Sequence, residues 1–366
     1  MGAFFFGILA ASLATFLVIH LLLRKPTLSS TAKYARWLAV AASVGYGLLG
    51  RFFFGLGSLG FAEWPQSTLA VMSASFLFLI PVAVGFVSQV ARDPGVGDRL
   101  PPVNRWFRAF LQPMLPVLMM LGLLSVFNIE GIICIAMAAP IFLLLAGIGG
   151  LIGYGTRRRT ERKSRAGVIS FMIFMPYLAS PLEQRLTPPA ELRQVQNRVY
   201  IRAAPEVVWD EIKSVPAIQR RELPFRFAHL IGLPRPIEAT LSRDGVGGVR
   251  IATFERGLAF RETVTRWEPG HRLSFAIRAE ASPAGALDAH VAVGGSYFDV
   301  TEGSYELEAA PAGNTLLTLT SQQRLSTGFN PYARLWSDFI MSDLQSAIME
   351  VVRARSEQAH SSASIQ

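Results

Sequence analysis

The chain changes character near Leu182. Up to that point long uncharged apolar stretches alternate with short basic loops, and beyond it an ordinary mixture of charged, polar and apolar residues begins, opening RVYIRAAPEVVWDEI. Such a chain cannot bury both halves in one water-facing core. Stretches of about 20 apolar residues match the roughly 30 Å of hydrocarbon in a bilayer, so the pattern predicts a membrane-embedded helical part followed by one water-soluble domain. Residues 1–182 hold 15 Lys/Arg against 5 Asp/Glu, whereas 183–366 hold 20 against 21, so the net +9 of the whole chain belongs to the apolar part. A basic excess ordinarily points to nucleic acid. Here the soluble half is electrically balanced and its arginines are spread along strand-like segments, so no nucleic-acid partner is expected.

Residues 3–23, 37–56, 68–90, 109–127 and 132–155 are the apolar stretches long enough, or nearly so, to cross a bilayer; a sixth, 166–182, has 17 residues and contains Pro176, which puts it at the lower limit. Lysine and arginine are retained on the cytoplasmic side. Arg24, Lys25, Lys33 and Arg36 fall in the first loop, Arg92, Arg99, Arg105 and Arg108 in the third, and Arg157, Arg158, Arg159, Arg162, Lys163 and Arg165 in the fifth, while the loops around Glu63 and Glu130 have none. This alternation places the N-terminus outside, the basic loops in the cytoplasm and, if 166–182 spans, the soluble domain outside. The opening MGAFFFG lacks a basic n-region and its apolar run is followed by Arg24 and Lys25, so 3–23 reads as a retained anchor and not as a cleaved signal.

Chemistry-bearing groups are few in the apolar half. Arg51 and His20 lie near the ends of their stretches, where a long side chain can reach the headgroups. Gly149 and Gly153 have the GxxxG spacing that lets helix backbones approach closely. Pro81, Pro113, Pro116, Pro140 and Pro176 kink helices, as in some transporters, but neither paired acids nor an inverted repeat accompanies them. The single cysteine, Cys134, precludes an intrachain disulfide, and the five histidines are scattered, so no metal set, nucleophilic triad or cofactor motif emerges.

Pro181, Pro188 and Pro189 mark a semi-rigid linker over 183–195. From Gln196 the periodicity predicts a short strand at 198–202, a helix opened by Ala204-Pro205-Glu206 and a second helical turn in PAIQRRE. Three hairpins follow: 237–241 with 249–254 about DGVGG, 258–267 with 272–279 about EPGH, and 304–309 with 315–323 about AAPAGN. A long amphipathic helix over 331–355 closes the domain, with 357–366 as a disordered tail. The glycines at 245, 247 and 248 precede no helix and do not make a phosphate loop.

This order of elements, with IRAAPEVVWDEI at its start and FRETVTRWEPGHRLSF in its middle, resembles the START-like superfamily, also called SRPBCC. Ile201, Ala203, Pro205, Glu206, Val208 and Trp209 fill the I-x-A-x-P-E-x-V-W pattern of its polyketide cyclase/dehydrase-like branch. The resemblance covers about 196–356 and does not reach the membrane half. It implies an α+β helix-grip fold, a curved antiparallel sheet around the C-terminal helix enclosing an apolar cavity, and it implies a bacterial inner membrane for the anchor. Family members hold lipids, sterols, polyketides or plant hormones in that cavity, and some catalyse cyclisation or dehydration there.

Alternation places Val249, Ile251 and Thr253 on one face, then Leu258, Phe260, Glu262 and Val264, then Leu273, Phe275 and Ile277, then Leu317, Leu319, Ser321 and Gln323. The expected cavity set is Ile251, Phe260, Glu262, Phe275, Leu319, Ser321, Trp336, Phe339 and Ile340. Glu262 stands out, because a carboxylate on an apolar face needs a partner or a raised pKa; a bulge shifting the register by one residue would turn it to solvent instead. Three functions are carried forward. The first is a membrane-anchored module binding a hydrophobic small molecule or lipid. The second is a cyclase/dehydrase- or aromatase-type enzyme using Glu262 or His290 as acid/base. The third is a sensor or assembly domain acting on the helix bundle.

Overall fold

The computed structural model describes residues 31–55, 73–90, 102–127, 129–159, 162–183, 185–186, 190–281, 293–295 and 297–363. The stretch 3–23, Pro188, Pro189 and His290 therefore lie outside the described residues. The chain divides into a helical unit, Met1–Gly131 with Ile135–Thr187, and a second unit, Pro188–Gln366 with the three residues Ile132–Cys134.

The helical unit comprises α1 (Thr31–Gly55), a π-helical turn (Ser75–Leu79) continuing into α2 (Ile80–Val90), α3 (Pro102–Leu111), α4 (Met114–Val126), α5 (Ile132–Arg159) and α6 (Arg162–Glu183). Four helical segments among the described residues are long and apolar enough to cross a membrane: Trp37–Phe54, Arg105–Val126, Ile132–Arg159 and Ala166–Glu183. The third expected stretch is described from residue 73 and is an apolar helix over Ser75–Val90, and the fourth bends where α3 gives way to α4 around Pro113. Proline removes a backbone donor and ends or kinks a helix, yet α6 continues through Pro176 and Pro181.

Helix α6 runs beside α1 in the same direction. The Tyr46 hydroxyl donates to the Ile173 carbonyl at 2.9 Å, and the rings of Phe53 and Tyr177 meet edge to face at 4.9 Å. At its end, the Glu183 carboxylate accepts from the backbone N–H of Ala74 and Ser75, at 2.5 and 2.9 Å, and from the Ser75 hydroxyl at 2.7 Å. Free N–H groups at a helix start favour such an anion. Arg51 is paired with Glu130, side chains 11 and 7 % exposed, so it does not extend to headgroups as expected: a carboxylate from the loop between α4 and α5 is within reach. Gly149 serves close packing, since a Cβ there would lie 2.0 Å from the Val82 carbonyl oxygen; α2 and α5 cross backbone to backbone.

The second unit is one seven-stranded antiparallel sheet with helices on its inner face. Its strands are β1 (Glu191–Ile201), β2 (Pro236–Leu241), β3 (Val249–Phe254), β4 (Ala259–Glu268), β5 (Arg272–Ala281), β6 (Phe298–Ala310) and β7 (Asn314–Leu325), in the order β1-β7-β6-β5-β4-β3-β2. Its helices are α7 (Pro205–Lys213), the single turn α8 (Phe227–Leu230) and the long α9 (Asn330–Ala363). Proline at the first turn with Glu206 beside it starts α7, and Lys213 lies in its last turn, as the helix dipole favours. The three expected hairpins are present. Ile201, Val208, Trp209, Ile212, Leu273, Phe275, Leu317, Met349 and Val352 belong to the core where α7 and α9 meet the sheet.

Three local expectations are corrected. Strand β1 begins at Glu191, inside the stretch read as linker, because Arg193, Val195 and Asn197 find partners on α9 and β7. PAIQRRE is not helical: Val215 exchanges backbone hydrogen bonds with Ala239 at 2.8 Å and the Ile218 N–H donates to Ile237 O at 2.7 Å, so sheet pairing replaces the helical turn. Helix α9 reaches Ala363 instead of fraying at 357, and its Glu357 accepts from the backbone N–H and guanidinium of Arg202.

Candidate functional site

Cross-strand register defines the inner face. Arg250 pairs with Glu262 and Glu262 with Ile277; Val264 pairs with Phe275, Phe275 with Gly303, Gly303 with Ser321 and Ser321 with Val195. In the next row Leu273, Tyr305, Leu319 and Asn197 are aligned. Antiparallel partners project to the same side, so Phe260, Glu262, Phe275, Leu319 and Ser321 share this face. Ile251 does not. It pairs with Arg261, which puts it on the opposite side, and Arg250 and Ala252 take the inward positions of β3. The expected alternation was off by one in this strand because the more apolar set, Val249, Ile251 and Thr253, faces outward.

Glu262 is inward and 8 % exposed, and Arg250, at 4 %, is its partner. Arg250 Nε donates to Glu262 Oε2 at 2.5 Å, and Nη1 donates to the Ile212 carbonyl at the end of α7 at 2.7 Å. The guanidinium carbon lies 4.1 Å over the Phe275 ring and 5.7 Å from the centre of the Tyr305 ring. Burial works against the Arg250 charge, but the Glu262 carboxylate, with Tyr305, more than offsets it and raises the arginine above its usual range. Burial likewise pushes the Tyr305 hydroxyl up, against the opposing pull of Arg250. The carboxylate that sequence singles out as an acid/base is thus committed to a buried ion pair tying β3, β4 and α7 together.

A second polar group lies where α9 crosses β1 and β7. Asn197 Nδ2 donates to Ser342 O at 2.6 Å and to Ser346 Oγ at 2.9 Å, and Arg193 donates to Asp338 at 2.6 Å. Gln345 Nε2 donates to Val195 O at 3.0 Å and to Ser321 Oγ at 2.8 Å. The face of α9 on these strands is accordingly polar at Asp338, Ser342 and Gln345, then apolar at Met349 and Val352. On the flank beside it Met341, Leu344 and Ile348 are only half-buried, as are the inward Phe260 and Ile277. Trp336 and Phe339 meet the Phe227 ring of α8 at 6.4 and 5.5 Å; Phe339 is 50 % exposed and Ile340 half-buried.

His229, in α8, has Nδ1 3.3 Å from Leu233 O, and burial lowers its pKa below the ordinary histidine value. Among the described residues no three of His, Cys, Asp and Glu converge in a metal-binding arrangement. A cavity of about 290 Å3 lies on the other side of the sheet, among Gln194, Thr265, Arg272, Ser274, Glu302 and Thr320, and its walls are polar. Arg250, Tyr305 and Gln345 were not foreseen as site residues, and Gln323 was placed on this face but not in the expected cavity set. The signal for Arg250 was Glu262 itself, since a buried carboxylate calls for a cationic neighbour on an adjacent strand.

No protein-family model matches the chain, and none of the curated proteins is similar to it. Solved structures similar to it include a norcoclaurine synthase point mutant from Thalictrum flavum, 10 % identical over 47 % of this chain and 98 % of that one, TM-score 0.31. The Zhui aromatase/cyclase from Streptomyces sp. R1128 is 11 % identical over 47 and 98 %, TM-score 0.31. An uncharacterized protein from Rhizobium leguminosarum is 16 % identical over 47 and 99 %, TM-score 0.30. The fold stands on the strand order and register above: a seven-stranded antiparallel sheet with the long C-terminal helix against its inner face, the arrangement of a helix grip.

Proposed function

We propose that the second unit binds a hydrophobic small molecule or lipid between its sheet and α9, and that the helical unit anchors it in a membrane. One observation carries the ligand reading. Apolar inward side chains, Phe260 and Ile277 on the sheet with Met341, Leu344 and Ile348 on α9, retain accessible surface beside the buried core. Burying such surface against an apolar ligand is favourable at roughly 25 cal/mol per Å2. Polar groups nearby, Gln345 among them, are held in place through their NH2 donors and can orient a ligand, as small-molecule sites commonly do.

Anchoring follows from the four long apolar helical segments, and orientation from the arginines at the end of α5 together with the course of α6. The arginine-rich end of α5 marks the cytoplasmic side. Helix α6 starts three residues after Arg159 and runs to Glu183, beside the start of the π-helical turn. On this reading the grip domain stands on the outer, periplasmic face of a bacterial inner membrane, where a poorly soluble ligand has a short path to its site.

The test is mass spectrometry of molecules extracted from the purified full-length protein, beside a Leu344→Trp variant that fills the half-buried flank. An apolar molecule retained by the wild type and depleted in the variant is expected. Equal recovery from both, at the level of the surrounding detergent or lipid, would refute the reading.

A further inference from the structure

Two buried amide oxygens have no hydrogen-bond partner among the described residues: Oε1 of Gln323 and Oε1 of Gln345. Gln323 is 0 % and Gln345 2 % exposed. The orientation of an amide is normally ambiguous, but here the neighbours fix both. Gln345 meets the Val195 carbonyl, which can only accept, so its NH2 must face β1 and the oxygen must turn away from it. Gln323 meets the Asp338 carboxylate at 2.9 Å, which also accepts, and donates to Ser337 Oγ at 3.3 Å. Ser321, the other partner of Gln345, is two residues from Gln323 on the same face of β7, so both amides sit at one seam. Helical spacing places Met341 and Ile348 next to Gln345, at i−4 and i+3. These are the half-buried apolar residues on which the proposed ligand site rests.

Among the described residues the two guanidiniums on the sheet's inner face are satisfied, Arg250 by Glu262 and Arg193 by Asp338 and Glu191. Arg226, whose buried Nε has no hydrogen-bond partner among the described residues, stands 4.0 Å from Asp343 of α9. A buried acceptor without a donor is costly, and a carboxylate brought beside two such oxygens would be repelled. A neutral molecule carrying a hydroxyl supplies a donor to one of them.

Resting on the ligand reading above, we infer that the grip domain selects a neutral, long-chain molecule that donates a hydrogen bond, an alcohol rather than a fatty-acid anion or an ester. The full-length protein in phosphatidylcholine nanodiscs would be exposed to photoactivatable analogues of hexadecanol, hexadecanoate and methyl hexadecanoate. Cross-links to α9 peptides are then counted by mass spectrometry. The expected result is labelling by the alcohol over each of the other two by on the order of tenfold, about the worth of one buried hydrogen bond. Gln345→Met, which keeps the side-chain volume but removes the acceptor, should bring the three probes level while total labelling persists.

Equal or stronger labelling by the carboxylate or the ester in the wild type overturns the inference, and this comparison decides even if the variant fails to fold. A preference unchanged in both Gln345→Met and Gln323→Met also overturns it, assigning the two oxygens to internal water. Labelling by none of the probes refutes the ligand reading itself and the inference with it.

Discussion

Arg250 is the residue on which the inner face turns. A guanidinium at 4 % exposure loses most of its hydration and is tolerable only because Glu262 and the Ile212 carbonyl replace the lost water. Removing one partner leaves the other charge buried and uncompensated. Arg250→Met should therefore destabilise the grip domain by about 3–5 kcal/mol, whereas Arg250→Met with Glu262→Leu should recover most of that loss, because two apolar groups of similar size need no partner. Chemical unfolding followed by the fluorescence of Trp209 and Trp267, whose rings meet at 5.0 Å in this core, would read both. A double variant as damaged as the single one would show that the pair serves something other than mutual neutralisation. The two halves of the pair were unequally legible. Glu262 was visible as a carboxylate in a run of alternating apolar residues. Arg250 was not, because an arginine between Val249 and Ile251 reads as the solvent side of a strand. Only the cross-strand register reveals that it is inward, and such pairing joins residues twelve apart through a turn whose geometry the local pattern does not encode.

At the scale of elements, the segment 215–222 shows how a tertiary partner overrides a local pattern. Read alone, PAIQRRE has helical character; in the fold its backbone pairs with β2, and Arg355 of α9 holds it from the other side. Arg355 donates to the carbonyls of Pro216 and Ala217 at 3.1 Å and to both carboxylate oxygens of Glu222 at 2.8 and 3.0 Å. The hydrogen bonds from Arg355 lower Glu222 to about 2, against a partial opposing push from burial. A carboxylate whose folded pKa lies below its unfolded value of 4.5 binds protons more readily in the unfolded chain. Its contribution to stability is then complete above about 4.5 and is lost as the pH falls toward 2. Unfolding of the wild type and Glu222→Gln, compared from pH 6 to pH 2, should give a difference that is largest at the upper end and closes over that window. A difference constant with pH would show that the Glu222 carboxylate is not held by Arg355 in the folded protein. The hairpins, by contrast, were readable from their turn residues, since DGVGG, EPGH and AAPAGN act within a few residues of chain. Helix α9 was readable from its period, but its polar contacts with β1 were not, because they span about 145 positions.

For the molecule as a whole, if the helical unit is anchored in a membrane as proposed, the side on which the second unit stands reduces to the course of α6. Sequence left 166–182 at the lower limit of a span, with a proline inside it. Within the helical unit, α6 runs with α1 through Tyr46 and Ile173, then Phe53 and Tyr177, and its Glu183 binds the start of the π-helical turn at Ser75. A re-entrant segment would return its C-terminus to the end where it began, beside the arginines that close α5. Instead its last residue lies with the elements flanking the second loop, and Arg51 of α1 pairs with Glu130 of the fourth loop. The second and fourth loops are those without lysine or arginine, which the positive-inside rule assigns to the exterior. In a Cys134→Ala background a cysteine at exposed Leu186, three residues beyond α6, should react with a membrane-impermeant thiol reagent added to intact spheroplasts. A cysteine at exposed Arg158, by the same logic, should react only after the membrane is opened. The reverse pattern would move the grip domain to the cytoplasm, and labelling of both sites without lysis would remove the helical unit from the membrane altogether.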